Sequence, residues 1–352
     1  MVKFFMEATA TTVKHFKDVV FFKCYPIQVF IDIQKKIVQS RKFDPDQLSD
    51  IIESFYYSSE KIWRGLCLDW NFLEKPANDS YVWATIISND DIAFYRNAFQ
   101  IKKAERPDTA IFFIGGGGFI ASTESLQETF LRDYCKNLNC IVYEFHYKLA
   151  PEFKYPFQLH EMLETYLGLV FYYKHYLGIT LKKIILMGDS AGGNLVMGLT
   201  NLLILLKQRV PDLLMLVYPA ANLDEKRFTP SLLNSFNERL LYFTILEKCL
   251  THYIDGAFDP QKDWLLSPGL TPDEILSKYP RTEVFCGEFD PLFDDSYKLC
   301  YRLNGLKIIC NLHVFEHLYH GFLSFDLPFG QGMSEVSKIH DLIKNTIRDF
   351  IK

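Results

Sequence analysis

Residues 182–208, KKIILMGDSAGGNLVMGLTNLLILLKQ, pass from a short apolar run through Gly188-Asp189-Ser190-Ala191-Gly192 into a long apolar run. The first run has the length and β-branched content of a strand buried on both faces, and the second reads as a buried helix starting near Ala191. A Gly-x-Ser-x-Gly pentapeptide is a common accident by itself. In the order strand, sharp turn, helix it forms an elbow that lifts the Ser side chain above the end of a sheet. Glycines on either side of Ser190 let strand and helix approach without Cβ clashes, and the helix N-terminus favours negative charge nearby. Ser190 is therefore the candidate nucleophile.

Upstream, TAIFFIGGGGFIAS places four consecutive glycines, Gly115 to Gly118, directly after another strand-like run. Bare main chain at that point brings backbone N–H groups close to a substrate carbonyl oxygen. The run lacks both the Lys-Ser/Thr ending of a phosphate loop and the spacing of a dinucleotide fingerprint. The expected oxyanion donors are the N–H groups of Gly116, Gly117 and Ala191, the last being the residue after the nucleophile.

A serine nucleophile at an elbow needs an acid and then a base further along the chain, each after a late strand. TEVFCGEFDPLFDDS supplies Asp290, followed by Pro291, with Glu288, Asp294 and Asp295 as competitors; Asp295 is expected on the following helix. KIICNLHVFEHLYHGF supplies His320, one of nine His, in a loop where Gly321 allows an unusual turn. His313, His317 and His320 together have the look of a metal cluster, but a strand ending near Phe315 splits them between strand and loop. The expected chemistry has His320 as base, Asp290 orienting it and an acyl-enzyme on Ser190, and it calls for no cofactor and no metal.

Further β-type runs are YVWATIIS, IAFYRNAF, CIVYEFHY, LLMLVYP, TEVFC and KIICNLHVF, several separated by helical stretches. Their alternation predicts a largely parallel sheet covered by helices on both faces, with the first two runs as an antiparallel pair at the edge. Residues 1–75 read as a helical N-terminal element, with a helix start at Asp44-Pro45, and residues 76–352 as the catalytic domain. A helical insertion is expected at about 221–270, beyond the C-terminal edge of the sheet, as a candidate lid.

Lys, Arg, Asp and Glu are spread along a chain of 352 residues with net charge −5, which offers no basic stripe for nucleic acid. The eight Cys show no metal-ligand spacing and read as reduced, partly buried thiols, so the cytosol is the expected compartment. Charged residues interrupt every apolar run of the first thirty residues, so neither a secretory core nor a membrane span is expected there. Phe16, Val19, Val20 and Lys23 would share a helix face that either packs on the protein or makes peripheral contact with a lipid-droplet or membrane surface. No sequence feature sets an oligomeric state.

GGGGF at 115–119, YKLAPE at 147–152, GDSAGGN at 188–194, DPLFDDS at 290–296 and HGF at 320–322 occur in one order over Ile111 to Phe325. In that combination the chain resembles the hormone-sensitive lipase family of α/β hydrolases. The likeness to its eukaryotic branch extends into the insertion through TPSLLNSFNERLLYFTILEKC. The resemblance implies an α/β-hydrolase fold with a helical cap formed by the N-terminal helices and the insertion. It also implies a carboxylic ester hydrolase of lipid catabolism, acting on a small-molecule acyl ester or lipid such as an acylglycerol or sterol ester. One departure stands out: the family has His in an HGGG motif where this chain has Gly115, so a side chain that helps brace the glycine loop is missing. That departure is the best support for the competing reading, a non-catalytic receptor or scaffold on a hydrolase fold.

Overall fold

The computed structural model describes residues 108–352 apart from 122–123, 139, 176–179, 225, 237–239 and 325–332, together with two earlier strands at 20–23 and 81–87. The strands are β1 (Val20–Lys23), β2 (Tyr81–Ile87), β3 (Thr109–Ile114), β4 (Ile141–His146), β5 (Lys183–Asp189), β6 (Leu213–Val217), β7 (Arg281–Gly287) and β8 (Cys310–Phe315). They form one sheet in the order β1-β2-β4-β3-β5-β6-β7-β8. From β4 to β8 every neighbouring pair is parallel, while β2 runs antiparallel to both β4 and β1.

The helices are α1 (Glu124–Leu138), α2 (Phe157–His175), α3 (Ala191–Leu205), α4 (Pro230–Asn234), α5 (Phe243–Tyr253), α6 (Asp273–Leu276), α7 (Phe293–Gly305) and α8 (Met333–Ile351). The two-residue alternation of the strands sorts their side chains into two cores. Ile111, Phe113, Ile185 and Met187 join Leu131 and Tyr134 of α1 and Ile343 and Ile347 of α8. Phe112, Ile114, Ile184 and Leu186 join Leu159 of α2, Leu195 and Leu199 of α3 and Leu303 of α7 on the other face. Because both faces are covered, β3 is buried along its whole length, which is why its sequence is continuously apolar instead of alternating.

The insertion between β6 and β7 carries α4 and α5, as its apolar periodicity predicts. It is pinned to the glycine loop: the Phe119 ring lies on the Tyr253 ring of α5 with centroids 3.7 Å apart and planes within 2°. The sheet edge differs from expectation. Val20 and Lys23 lie in strand β1, paired opposite Ala84 and Tyr81, and not on a helix face. Branched and aromatic residues such as those of VFFK take the extended form readily once a strand edge is available, and periodicity over four residues does not separate the two forms. β2 thus has its antiparallel partners in β4 and β1. The run at 92–99, expected as its partner, lies outside the described residues, as do the remaining helices expected over 1–75 and the boundary near 75. Among the described residues no helix is long and apolar enough to cross a membrane.

Register places the site. Ile114 sits opposite Gly188, so the glycine loop leaves β3 beside the turn that ends β5. Gly287 sits opposite Phe315, so the loops after β7 and β8 leave together. All four loops emerge at the C-terminal edge of the parallel sheet, where open α/β folds hold their ligands.

Candidate active site

Ser190 joins β5 to α3 in a conformation that L-residues rarely adopt, with φ 53° and ψ −119°. Its N–H donates to the Val217 carbonyl at 2.9 Å, and its carbonyl accepts from Asn194 and Ala220, both at 3.1 Å. These bonds over-determine the turn and hold the strained residue in place. The glycine two places on is needed for the same crossing: a Cβ at Gly192 would overlap the carbonyl oxygen of Ile114 and come within 2.7 Å of the Gly115 oxygen. Gly192→Ala is therefore expected to lower stability by about 3 kcal/mol in a urea titration, because main chain and not a mobile side chain must yield.

Ser190 Oγ lies 2.9 Å from His320 Nε2. His320 Nδ1 lies 2.9 Å from Asp290 Oδ2. Asp290 is fully buried and His320 is 6% exposed, so the contact between them is shielded from water. The second Asp290 oxygen, Oδ1, accepts the Leu292 N–H at 2.7 Å, which fixes the carboxylate plane. Gly321 follows at φ 80°, the turn expected for the loop that carries His320.

The competing carboxylates point elsewhere. Glu288 accepts from the exposed main chain at His317, and Asp294 accepts the Ser231 N–H at 2.8 Å. Asp295, on α7 as expected, faces Arg227 at 3.5 Å. Burial pushes the Asp295 carboxyl up to about 6, and Arg227 partly offsets that. The three histidines also separate: His313 meets Glu283 at 2.8 Å, His317 is exposed beside Glu288, and His320 alone of the three faces Ser190. No group of three or more potential metal ligands occurs among the described residues.

The glycine loop corrects one expectation. Gly116, expected as an oxyanion donor, instead gives its N–H to Asp189 Oδ1 at 2.9 Å, within the protein beside the elbow. Ala191 begins α3 and Gly117 stands at φ 113°, a backbone form open to glycine. A family model described as the alpha/beta hydrolase fold matches residues 111–324. The chain belongs to the α/β-hydrolase family.

Among curated relatives, this α/β-hydrolase chain is 35% identical to bovine (Bos taurus) hormone-sensitive lipase over 164 residues, which is 46% of the chain and 21% of that lipase. The match thus spans about a fifth of the length of the lipase. An esterase of Gibberella moniliformis is 25% identical over 243 residues, 67% of this chain and 74% of the esterase. The solved esterase of Pyrobaculum calidifontis superposes with a TM-score of 0.64 at 21% identity, covering 92% of this chain and 99% of the esterase, and shares its fold.

Sequence reasoning misses three residues of the site. Asp189 is buried and raised to about 6 by that burial, against the opposing effects of the Gly116 N–H, His320 and the Tyr218 hydroxyl. Tyr218 donates to Asp189 and packs its ring 4.7 Å from His320, while its hydroxyl accepts the Leu323 N–H at 3.3 Å. Tyr147 donates to the Gly115 carbonyl at 3.0 Å. Asp189 and Tyr147 both stand inside motifs that are visible in the sequence, whereas Tyr218 has no local signature.

Proposed function

We propose that this chain is a serine carboxylic-ester hydrolase that cleaves acyl esters of acylglycerol type through an acyl-enzyme on Ser190. The observation that carries the reading is the unbroken line from Ser190 Oγ to His320 Nε2 and from His320 Nδ1 to the buried Asp290, each step 2.9 Å. In this reading His320 takes the Ser190 proton as Oγ adds to the ester carbonyl, and Asp290 stabilises the resulting imidazolium. The N–H groups of Gly117 and Ala191, with the positive end of α3, meet the oxyanion. His320 then returns its proton to the departing alcohol, and water attacks the acyl-enzyme by the same route. These steps need protein groups and water alone.

A lipid-like acyl group is favoured by the insertion above the sheet edge, which exposes large apolar side chains. Phe228 and Leu233 are 54% and 56% exposed, and Phe236, Leu240 and Tyr242 are exposed to 39%, 43% and 41%. Such a surface suits an apolar chain or a lipid interface better than a small polar ester. The test is hydrolysis of a chromogenic ester series from short to long acyl chains, with an acylglycerol beside it, by the purified protein and by Ser190→Ala. Turnover that needs Ser190 and rises with chain length is the expected result. Absence of turnover across the series, in folded protein, would replace this reading with the non-catalytic receptor.

A further inference from the structure

We propose that Gln127 is a positioning residue for the oxyanion loop, acting on it through Asp189. The proposal rests on the hydrolase reading of the site but not on any particular ester. Gln127 lies in the first turn of α1 and is 1% exposed, on a face it shares with the apolar Phe130, Leu131 and Tyr134. Burying a primary amide there costs free energy unless its hydrogen bonds are met, and a Leu or Met would fill the space more cheaply. What the amide does is specific. Its Nε2 donates to Asp189 Oδ1 at 3.0 Å, and that same oxygen accepts the Gly116 N–H at 2.9 Å. Two donors, one from a helix and one from the loop, converge on one atom next to the nucleophile.

The loop is shaped to admit this amide. A Cβ at Gly115 would stand 2.5 Å from Gln127 Oε1 and 3.3 Å from its Cδ and Nε2. The bare main chain of Gly115 and the Gln127 amide are therefore in contact, and any side chain at 115 would displace the amide from Asp189. On the carbonyl side, the Tyr147 hydroxyl donates to Gly115 O at 3.0 Å and reaches Gly116 O at 3.4 Å. The segment that leads into Gly117 is thus held from both sides, by Asp189 on its N–H and by Tyr147 on its oxygens. A neutral amide secures the Asp189 oxygen without adding a second charge beside a developing oxyanion, as a Glu or Lys at 127 would. Gln127 supplies the brace that Gly115, lacking a side chain, does not.

Three variants test the proposal: Gln127→Ala removes the amide, Gln127→Met keeps its volume without the donor, and Gly115→Ala pushes it away. Each is expected to lower kcat by roughly ten- to a hundredfold with KM within about twofold, since a displaced donor loses its effect mainly in the transition state. Affinity for an aryl trifluoromethyl ketone, which Ser190 would trap as a hemiketal oxyanion, should fall in parallel. Combining Gly115→Ala with Gln127→Ala should cost no more than the costlier single change, because both act on one contact. Amide hydrogen exchange reads the brace without any substrate: the Gly116 amide should exchange at least about tenfold faster in all three variants, with Ile184 to Met187 of β5 unchanged. A Met variant with wild-type kcat and wild-type Gly116 exchange would overturn the proposal in favour of simple packing, as would full additivity in the double variant. Were wild-type protein to show no ester turnover, the hydrolase reading would fall while the exchange data still decided whether Gln127 holds the loop.

Discussion

Ser190→Ala is expected to lower ester turnover by about 10⁴-fold or more while leaving the protein folded, and Ser190→Gly to do the same while making it more stable than the Ala variant. The loss follows from the geometry, since Ser190 Oγ is the oxygen that His320 Nε2 meets at 2.9 Å and either change removes it. The stability difference follows from the backbone. Both Ser and Ala carry a Cβ into φ 53°, ψ −119°, a region that costs an L-residue about 1–3 kcal/mol. Glycine adopts it freely but loses about 0.4–1 kcal/mol through its greater freedom when unfolded. The net expectation is about 1 kcal/mol in favour of Ser190→Gly over Ser190→Ala, read as a higher midpoint in thermal and urea unfolding. Equal stability would mean that the elbow is not strained, and turnover within about tenfold of the wild-type rate in either variant would remove Ser190 from the chemistry.

Whether a residue's part in this site is legible in the sequence depends on whether that part is local. The elbow is legible because strand, Ser190 and helix are adjacent in the chain, and α3 begins at Ala191 as its apolar run requires. Asp290 and His320 are legible from their order and from the turn residues beside them, although type and position alone leave Glu288, Asp294 and Asp295 open. What separates the four carboxylates is direction, and it is Asp290 that points at His320. The same limit explains Gly116. A glycine after a strand signals close approach of main chain, but not whether its N–H faces a substrate or, as here, Asp189. Gln127 carries no signal at all, because its contact with Asp189 joins residues 62 apart in sequence and exists only once α1 packs on the sheet. Val20 to Lys23 mislead for a related reason: a run of four residues takes the form of whatever edge it meets, and that edge lies about sixty residues away in β2.

Asp290→Asn is expected to cost about 10⁴-fold in kcat, far more than the loss of one hydrogen bond, because it changes which imidazole nitrogen carries the proton. Asp290 Oδ1 is held by the Leu292 N–H at 2.7 Å, a donor that an Asn can satisfy only with its oxygen. That requirement turns the Asn NH₂ group toward His320 Nδ1, which in the native chain faces Asp290 Oδ2 at 2.9 Å. Nδ1 must then accept, the ring proton moves to Nε2, and the nitrogen facing Ser190 Oγ becomes a donor unable to take the serine proton. Neighbouring carboxylates provide the control. Asp294→Asn and Asp295→Asn alter contacts to Ser231 and Arg227 that do not involve His320, and each should leave kcat within about threefold. Steady-state kinetics on the three variants separates the alternatives directly. A 10⁴-fold loss confined to Asp290→Asn assigns the orienting role to that residue, whereas a comparable loss at Asp295 would mean that the acid reaches His320 from α7 in a conformation other than this one.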